Sequence, residues 1–183
     1  DDINEQKKFF SDLAKENKVY ILTGLLEKVN DEYYDTAIVF DRYGEAIFRY
    51  RKIHLWAEEE EFFSPGQSTD LFNIEGWKVG IGICADLGFP ELSRILSVKG
   101  ADILFFPSAW SEPYDELWRL MNRAKAAENQ LYVVSPNLVG SKDNFCGLSN
   151  AVNPNGIVIE ELGKTKDHFV IEADKNKIEE RRK

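Results

Sequence analysis

Apolar positions along the chain follow two patterns, helical spacing and short continuous runs. Residues 3–17 carry apolar side chains at near-helical spacing, which predicts an amphipathic helix. Two more helices are predicted, one from Pro90 to just before Gly100 and one over residues 113–129. Runs rich in Val, Ile, Leu and Phe predict strands at 19–22, 36–40, 46–50, 71–74, 79–83, 103–106 and 131–134.

Turn signals join several of these strands. Residues 41–44 and 75–76 each end in glycine between two predicted strands, and residues 153–156 read Asn-Pro-Asn-Gly. Strand–helix–strand units mixed with hairpins favour a layered α/β domain with mixed sheets. Because the sequence holds no repeat, low-complexity run or interdomain linker, we expect one domain over residues 1–183.

Composition narrows the class of protein. The chain is 43% hydrophobic, which fills one core and excludes disorder, and no apolar stretch approaches the roughly 18 residues of a membrane helix. A net charge of −9 argues against a nucleic-acid partner, because such proteins present a basic face. Two cysteines, Cys84 and Cys146, cannot form a disulfide scaffold, which favours a reducing, cytoplasmic compartment. The sequence has neither metal-ligand spacing nor a Gly-rich phosphate loop, so we expect no cofactor.

The ends of the sequence suggest a longer parent protein. The chain opens with two aspartates, and its only methionine is Met121. Because translation starts at methionine, we expect truncation at the N-terminus. The polar run 175–183 resembles a helix that is also interrupted.

Residues 79–86 hold the sharpest local feature. A strand with Gly80 and Gly82 stops at Cys84, and a helix is predicted a few residues later. A cysteine at this turn is exposed at the end of the strand and near a helix N-terminus, and both features favour a reactive thiolate. The alternative interpretation is a buried core cysteine, and the local pattern fits a reactive and a buried Cys84 equally well.

A nucleophilic cysteine needs a base, and the sequence offers two histidines, His54 and His168. A Cys–His–Asp hydrolase would place its histidine in a loop after the last strands. His168 fits this poorly, because Asp167 and Phe169 flank it at a predicted strand start. The arrangement is retained as an alternative.

A second cluster surrounds Lys52. The segment around this lysine leaves a strand, and four consecutive carboxylates follow at residues 58–61. A solvated acidic loop is the ordinary interpretation of such a run. The aromatic residues Trp56, Phe62 and Phe63 favour a loop that folds back and carries carboxylates inward.

Five blocks, taken in order, resemble the carbon–nitrogen hydrolase (nitrilase) superfamily. They are RKIHLW at 51–56, EEEFFSPG at 59–66, GICADLGFPE at 82–91, PSAW at 107–110, and RA with AEN at 123–129. The likeness covers nearly the whole chain, and the lysine and cysteine blocks together are highly specific. The resemblance implies an αββα sandwich with mixed sheets, lacking its N-terminal part.

The resemblance also implies a catalytic Glu–Lys–Cys triad without metal. Cys84 matches the nucleophile, Lys52 the triad lysine, and Glu59 best matches a second, supporting glutamate. In this family the cysteine forms a thioester that water then hydrolyses. Lys52 and the backbone N–H of Ala85 suit the stabilisation of an oxyanion, and Trp110 is assigned to substrate binding.

Two departures from the family pattern stand out. The general-base glutamate of the family lies in an N-terminal segment that nothing here matches, so either the chain is truncated or it no longer catalyses. The family also often carries Arg four residues after the cysteine, where this chain has Gly88. The second departure leaves the pocket wall less charged.

These features favour a hydrolase of linear amides, ω-amides or N-carbamoyl compounds. An amide is preferred to a nitrile because Ala85, and not Trp, follows the cysteine. The competing hypotheses are a non-catalytic binding or assembly unit and a Cys–His–Asp esterase. The resemblance also implies a homodimer or higher homo-oligomer, with the helix at 113–129 as a candidate contact face and Cys146 as a structural residue.

Overall fold

The computed structural model describes residues 3–140 and 144–183, which form two compact units, Asp1–Ser68 and Thr69–Lys183. The first unit is a helix with a three-stranded antiparallel sheet of order β1-β2-β3. Its elements are α1 (Ile3–Asn17), β1 (Ile21–Val29), β2 (Glu32–Phe40) and β3 (Ala46–Arg51).

The core of the first unit lies between α1 and one face of its sheet. Ala14 of α1 packs with buried side chains of β1 and β2, and Phe10 and Ile21 close the cluster. The buried strand partners are Leu25, Ile38 and Phe40. The alternation of β1 and β2 places these side chains on the helix-bearing face.

β1 is longer than the sequence predicts. The prediction ended at residue 22, whereas the strand continues to Val29 and forms a tight hairpin with β2 through Asn30 and Asp31. Asn30 has φ 57°, a left-handed conformation that asparagine tolerates in hairpin turns. Polar residues such as Glu27 in the second half of β1 hide its strand pattern, although Glu27 is buried.

The second unit contains a six-stranded mixed sheet of order β11-β10-β7-β6-β5-β4. β5, β6 and β7 are parallel, and the outer pairs are antiparallel. The strands of the unit, including a separate β8–β9 pair, are β4 (Phe72–Ile74), β5 (Trp77–Ile81), β6 (Ile103–Phe105), β7 (Tyr132–Ser135), β8 (Val139–Gly140), β9 (Phe145–Cys146), β10 (Asn150–Val152) and β11 (Val158–Glu161). Its helices are α2 (Pro90–Val98), α3 (Asp115–Asn129) and α4 (Lys175–Arg182).

The parallel strands are joined by helices. α2 connects β5 to β6, and α3 connects β6 to β7, so right-handed crossovers place both helices on one face of the sheet. The two helices pack side by side, with the Arg94 guanidinium donating to the carbonyl of Glu128 at 2.9 Å and Ser97 Oγ to that of Asn129 at 3.1 Å. Because β5, β6 and β7 are parallel, their carboxyl ends lie together at one edge of the sheet.

α4 lies at the opposite edge, beside the amino ends of these strands. Asp102, which precedes β6, accepts Lys175 Nζ at 3.0 Å and the backbone N–H of Lys78 at 3.0 Å. Arg182 donates to the carbonyl of Ala101 at 2.7 Å, and Ile178 is buried. These contacts fix the last helix against the start of β5 and β6.

The structure confirms the predicted mixed α/β class, the two helices near Pro90 and 113–129, and the hairpins at 41–44 and 75–76. One expectation is wrong, because His168 lies outside every strand and helix. Within the described residues, no helix has the length and apolar character needed to cross a membrane.

Candidate active site

Cys84 occupies a strained turn directly after β5. Its φ is 45°, in the left-handed region that residues with a Cβ rarely adopt, and it begins a 3₁₀ turn over Cys84–Gly88. Asp86, which is fully buried, accepts the N–H of Ile83 at 2.8 Å and donates its own N–H to the carbonyl of Ile83 at 3.0 Å. This reciprocal pair holds the turn, so strain at Cys84 is maintained by its neighbours.

Cys84 also lies on the edge formed by the carboxyl ends of the parallel strands. The ladder continues past β5, because Gly82 N–H donates to Phe105 O at 3.0 Å and Cys84 N–H to Pro107 O at 3.1 Å. Cys84 forms no disulfide, and the residue is only partly buried. In α/β sheets this edge is where ligands bind.

Two further features, at Gly82 and at Ala85, bear on this turn. A Cβ on Gly82 would lie 2.4 Å from the Phe106 ring and 3.1 Å from Leu92, so the strand packs closely at this point. Ala85 is buried as the second residue of the 3₁₀ turn, and the first N–H groups of a helical turn have no intrahelical acceptor. The N–H of Ala85 is therefore suited to bind an oxyanion.

Trp110 follows β6 on the same edge and is fixed at several points. Its N–H donates to Asn137 Oδ1 at 2.7 Å, and its indole Nε1 donates to the carbonyl of Tyr114 at 3.0 Å. Its ring lies 5.5 Å from that of Trp118, which is fully buried. These contacts fix Trp110 three residues after Pro107, whose carbonyl accepts the Cys84 N–H.

Lys52 is a buried cation in the first unit. Its side chain is 1% exposed, and Nζ donates to Glu59 Oε1 at 2.7 Å and Oε2 at 2.6 Å. Asp35 Oδ2 lies 3.8 Å from the same nitrogen. Of the four consecutive carboxylates, Glu59 is therefore the one that contacts Lys52, as the register in the sequence predicted.

The loop that carries Glu59 is anchored at both ends. Glu59 Oε2 also accepts the N–H of Trp56 at 2.7 Å, within the 3₁₀ turn Ala57–Glu61. Gly66 N–H donates to Lys52 O at 2.7 Å, and a Cβ on Gly66 would lie 2.1 Å from Arg51 O, so only glycine fits here. Both contacts hold the loop against the end of β3.

A polar network on the helix-bearing face of the first sheet extends this anchor. Glu32 accepts Tyr34 Oη at 2.6 Å and Ser64 Oγ at 3.1 Å, and these hydrogen bonds lower the pKa of Glu32, the bond from Tyr34 most strongly. The carboxylate likewise raises the pKa of Tyr34, mainly through the same bond. Beneath them, buried Glu27 accepts Arg51 Nε at 2.9 Å.

The structure brings the predicted residues together within each unit. Lys52 and Glu59 are in direct contact in the first unit, and Cys84, Ala85 and Trp110 share one sheet edge in the second. Sequence reasoning missed Asp35, Asp86 and Asn137, which hold these groups in place. For Asp86 a signal existed, since it stands three residues after Ile83 at a turn, which is the spacing of a cap.

The histidine alternative receives no geometric support. The His168 side chain is 93% exposed, and its Nδ1 lies 3.8 Å from the carboxylate of its own neighbour, Asp167. Such exposure leaves its ring free to rotate in solvent. Within the described residues there is also no group of three or more His, Cys, Asp or Glu side chains suited to hold a metal ion.

Comparisons with known proteins define the class. The model of the carbon-nitrogen hydrolase family matches residues 4–183, and the chain therefore belongs to that family. A hydrolase in the agr operon of Staphylococcus lugdunensis is 34% identical over 100% of this chain and 81% of its own length. An omega-amidase of Saccharomyces cerevisiae, NIT3, is 34% identical over 93% of this chain and 64% of its own length. The chain thus spans less than two thirds of the yeast relative.

Solved structures agree on the fold. The crystal structure of S. cerevisiae Nit3, a member of the nitrilase superfamily, matches with a TM-score of 0.84 and 33% identity over 88% of this chain and 62% of that chain. A carbon-nitrogen hydrolase from Helicobacter pylori matches with a TM-score of 0.90 and 28% identity over 98% of this chain and 70% of that chain. The nitrilase-like fold class expected from the sequence is confirmed.

Proposed function

We propose that this chain takes part in the hydrolysis of a linear amide, with Cys84 as the nucleophile. The observation that carries the proposal is the placement of Cys84, a partly exposed residue with φ 45° at the carboxyl end of β5, which is parallel to β6. Strain of this kind is retained at functional sites, where the surrounding structure enforces it. Family membership supports the same chemistry.

In the proposed reaction, the Cys84 thiolate forms a bond to the amide carbonyl carbon. The carbonyl electrons move to oxygen, and the Ala85 N–H and the Lys52 ammonium stabilise the oxyanion. The C–N bond then breaks, the leaving nitrogen takes from solvent the proton that the Cys84 thiol gave up on ionisation and departs as ammonia or amine, and a thioester remains. Water attacks the thioester, releasing a carboxylic acid and restoring the Cys84 thiol.

Glu59 acts on this reaction through Lys52. Its carboxylate binds Nζ with both oxygens, which fixes the direction of the ammonium group. No residue of this chain matches the general-base glutamate of the resembled family. We expect turnover by this chain to be lower by about 10²–10⁴ than with such a base, while acylation of Cys84 persists.

The substrate class follows from a narrower argument. Ala85 after the nucleophile favours an amide over a nitrile, and one relative is named an omega-amidase. Gly88, where the family often has Arg, supplies no cationic side chain at that position. We propose small linear amides, including ω-amides and N-carbamoyl compounds, as the compounds to screen.

The first test is the pH dependence of alkylation by iodoacetamide, with the modified cysteine located by mass spectrometry. Cys146 is an internal control, because burial and the nearby charge of Asp115 raise the pKa of its thiol. We expect Cys84 to react much faster, with a midpoint below the roughly 8.5 of a free cysteine, and Lys52→Ala to raise that midpoint. If Cys84 reacts as a free thiol and Lys52→Ala changes nothing, the chain is a fold without a working site.

The second test is ammonia release from acetamide, butyramide and succinamate. Cys84→Ala should abolish release, and Lys52→Ala should nearly do so, whereas Lys28→Ala removes an exposed lysine of the same unit and should have no effect. The esterase alternative predicts the reverse, loss with His168→Ala and indifference to Lys52→Ala. Hydrolysis that persists in Cys84→Ala would contradict the proposal.

We further propose a cytoplasmic homodimer. Leu120 of α3 is 64% exposed and lines a surface groove of about 410 Å³ together with Val158 of β11. The Arg119–Glu161 ion pair, at 3.0 Å, borders this groove, so an apolar strip lies between charged walls. Leu120→Glu should convert a dimer to a monomer in light scattering; a monomeric unsubstituted protein would contradict this part of the proposal.

A further inference from the structure

Asn137 lies two residues after β7, on the sheet edge that carries Cys84 and Trp110. The parallel ladder extends to it, because Ser108 N–H donates to Pro136 O at 3.0 Å and Asn137 bridges Ser108. Leu138 N–H then returns to Ser108 O at 3.0 Å. The backbone of Asn137 is therefore fixed beside the segment that leads into Trp110.

The side chain of Asn137 pairs with the backbone of Trp110 as a neighbouring strand would. Oδ1 accepts the Trp110 N–H at 2.7 Å, and Nδ2 donates to the Trp110 carbonyl at 3.1 Å. The parallel bridge ends at Ser108, and beyond it this one amide side chain binds both peptide groups of Trp110, whose carbonyl also accepts the Cys146 N–H at 2.9 Å. This arrangement fixes both the position and the direction of the Trp110 peptide groups.

The same amide is held from its other side. Nδ2 also donates to Gly147 O at 2.7 Å and lies 3.3 Å from Cys146 Sγ, while the Asn137 N–H donates to Ser149 Oγ at 2.9 Å. Three acceptors around Nδ2 and one donor at Oδ1 determine which end of the amide is nitrogen. Asn137 thus joins the segment 146–149 to Trp110.

We infer that Asn137 is a positioning residue that holds Trp110 as a wall of the substrate site. The inference rests on the proposed function and on the substrate-binding role that the family resemblance assigns to Trp110. Pro107, whose carbonyl binds the Cys84 N–H, belongs to the same segment as Trp110. Ser108, next to Pro107, is held separately by backbone hydrogen bonds with Pro136 and Leu138, so loss of the Asn137 side-chain hydrogen bonds loosens Trp110 while the hydrogen bond at Cys84 is kept.

The first test follows Trp110 directly and does not need turnover. Protein labelled with 5-fluorotryptophan gives a ¹⁹F resonance for each of its four tryptophans, and Trp110→Phe assigns the relevant one. Asn137→Ala should shift or broaden the Trp110 resonance and leave that of Trp77 unchanged. An unchanged Trp110 resonance would overturn the inference.

A shape-preserving variant separates clamping from packing. Asn137→Asp keeps the volume and the acceptor for the Trp110 N–H, but it places a carboxylate against the carbonyl oxygens of Gly147 and Trp110. It should disturb the Trp110 resonance at least as much as Asn137→Ala. A role limited to filling space predicts no change in Asn137→Asp.

The kinetic test compares KM with kcat for amide hydrolysis. Asn137→Ala should raise KM about tenfold, the effect of roughly one lost hydrogen bond, and leave kcat within about twofold. Asn150→Ala is the matched control: Asn150 is buried and its Nδ2 donates to Leu148 O at 3.1 Å, so its loss should lower stability without changing KM.

The outcomes distinguish this inference from the proposed function. An equal rise of KM in Asn150→Ala, or an unchanged KM in Asn137→Ala, would overturn the role of Asn137 at the substrate. Absence of Cys84-dependent hydrolysis from the unsubstituted protein would contradict the proposed function instead. The Trp110 resonance would then decide the clamp by itself.

Discussion

Glu59 binds Lys52 with both carboxylate oxygens, at 2.7 and 2.6 Å from one buried nitrogen. The pair is asymmetric, because the lysine side chain is 1% exposed and the glutamate side chain 29%. Removal of the carboxylate therefore leaves a buried cation whose remaining ion pair among the described residues is with Asp35, at 3.8 Å. A buried charge without its partner costs more than the loss of both.

The asymmetry predicts unequal costs for the two partners. Glu59→Gln should lower the free energy of unfolding by about 2 kcal/mol, and Lys52→Met, which removes the buried charge, should cost less. Urea denaturation measures both. Glu60→Gln, at the exposed neighbouring carboxylate, should change the free energy of unfolding by less than about 0.5 kcal/mol. If Glu59→Gln lowers it no more than Glu60→Gln does, the prediction is refuted.

Gly66 predicts a steric effect on the same loop. A Cβ there would lie 2.1 Å from Arg51 O and 2.7 Å from Arg51 C, and these backbone atoms cannot move aside cheaply. Gly66→Ala should lower the free energy of unfolding by about 2 kcal/mol or more. Gly24→Ala is the control, because a Cβ on that exposed glycine meets nothing within 4 Å. If both variants unfold at the same urea concentration, the close approach at Gly66 has no energetic weight.

Cys84 predicts a reversal of the usual order of alanine and glycine. Because its φ is 45°, Cys84→Gly should be more stable than Cys84→Ala by about 1 kcal/mol in urea denaturation. In α3, Ala124→Gly should lose about 1 kcal/mol, since glycine weakens a helix. A Cys84→Ala protein more stable than Cys84→Gly would show that the turn is unstrained.

The Tyr34–Glu32 hydrogen bond predicts a pH window of stability. The folded pKa of Glu32 is lowered, so its contribution is present above the unfolded pKa and is lost as pH falls through the folded value. The folded pKa of Tyr34 is raised, so its contribution is present below the unfolded pKa and is lost as pH rises through the folded value. The bond therefore stabilises the protein between about pH 4.5 and pH 10.

Tyr34→Phe tests that window. The difference in Tm between the unsubstituted protein and Tyr34→Phe should be largest near pH 7 and shrink toward pH 3 and toward pH 11. Ser64→Ala removes the weaker of the two hydrogen bonds to Glu32, so it should reduce Tm mainly above the acid limit of the window and less than Tyr34→Phe does. A Tm difference that does not vary with pH would mean that the bond is not the cause.

Local signals were enough to predict much of the fold. The hairpin turns at 41–44 and 75–76, Pro90 at a helix start, and the strand that ends before Cys84 all depend on residues close in sequence. Glu59 was also identified correctly as the carboxylate next to Lys52, because the family spacing gave its register. Its catalytic role, like that of Cys84, stays a prediction.

The remaining features depend on distant partners. Glu27 hid the second half of β1, since its charge is compensated by Arg51, which lies 24 residues away. Asn137 was missed because an asparagine after a strand is ordinary until Trp110 and Gly147 are placed around it. The apolar run 169–171 beside His168 resembles a strand, yet it pairs with no strand among the described residues.

The position of α4 sets an order for folding during synthesis. The hairpins of the first unit join residues close in sequence, so β1, β2 and β3 can pair soon after they leave the ribosome. Lys175 binds Asp102, and Arg182 binds the carbonyl of Ala101. These contacts at the amino edge of the second sheet therefore form only after residues some 70 to 80 positions further along the chain have been synthesised. Until then the parallel strands lack the helix that covers their starts. When translation is stalled before α4 has left the ribosome, protease should therefore cleave the second unit and leave the first unit intact.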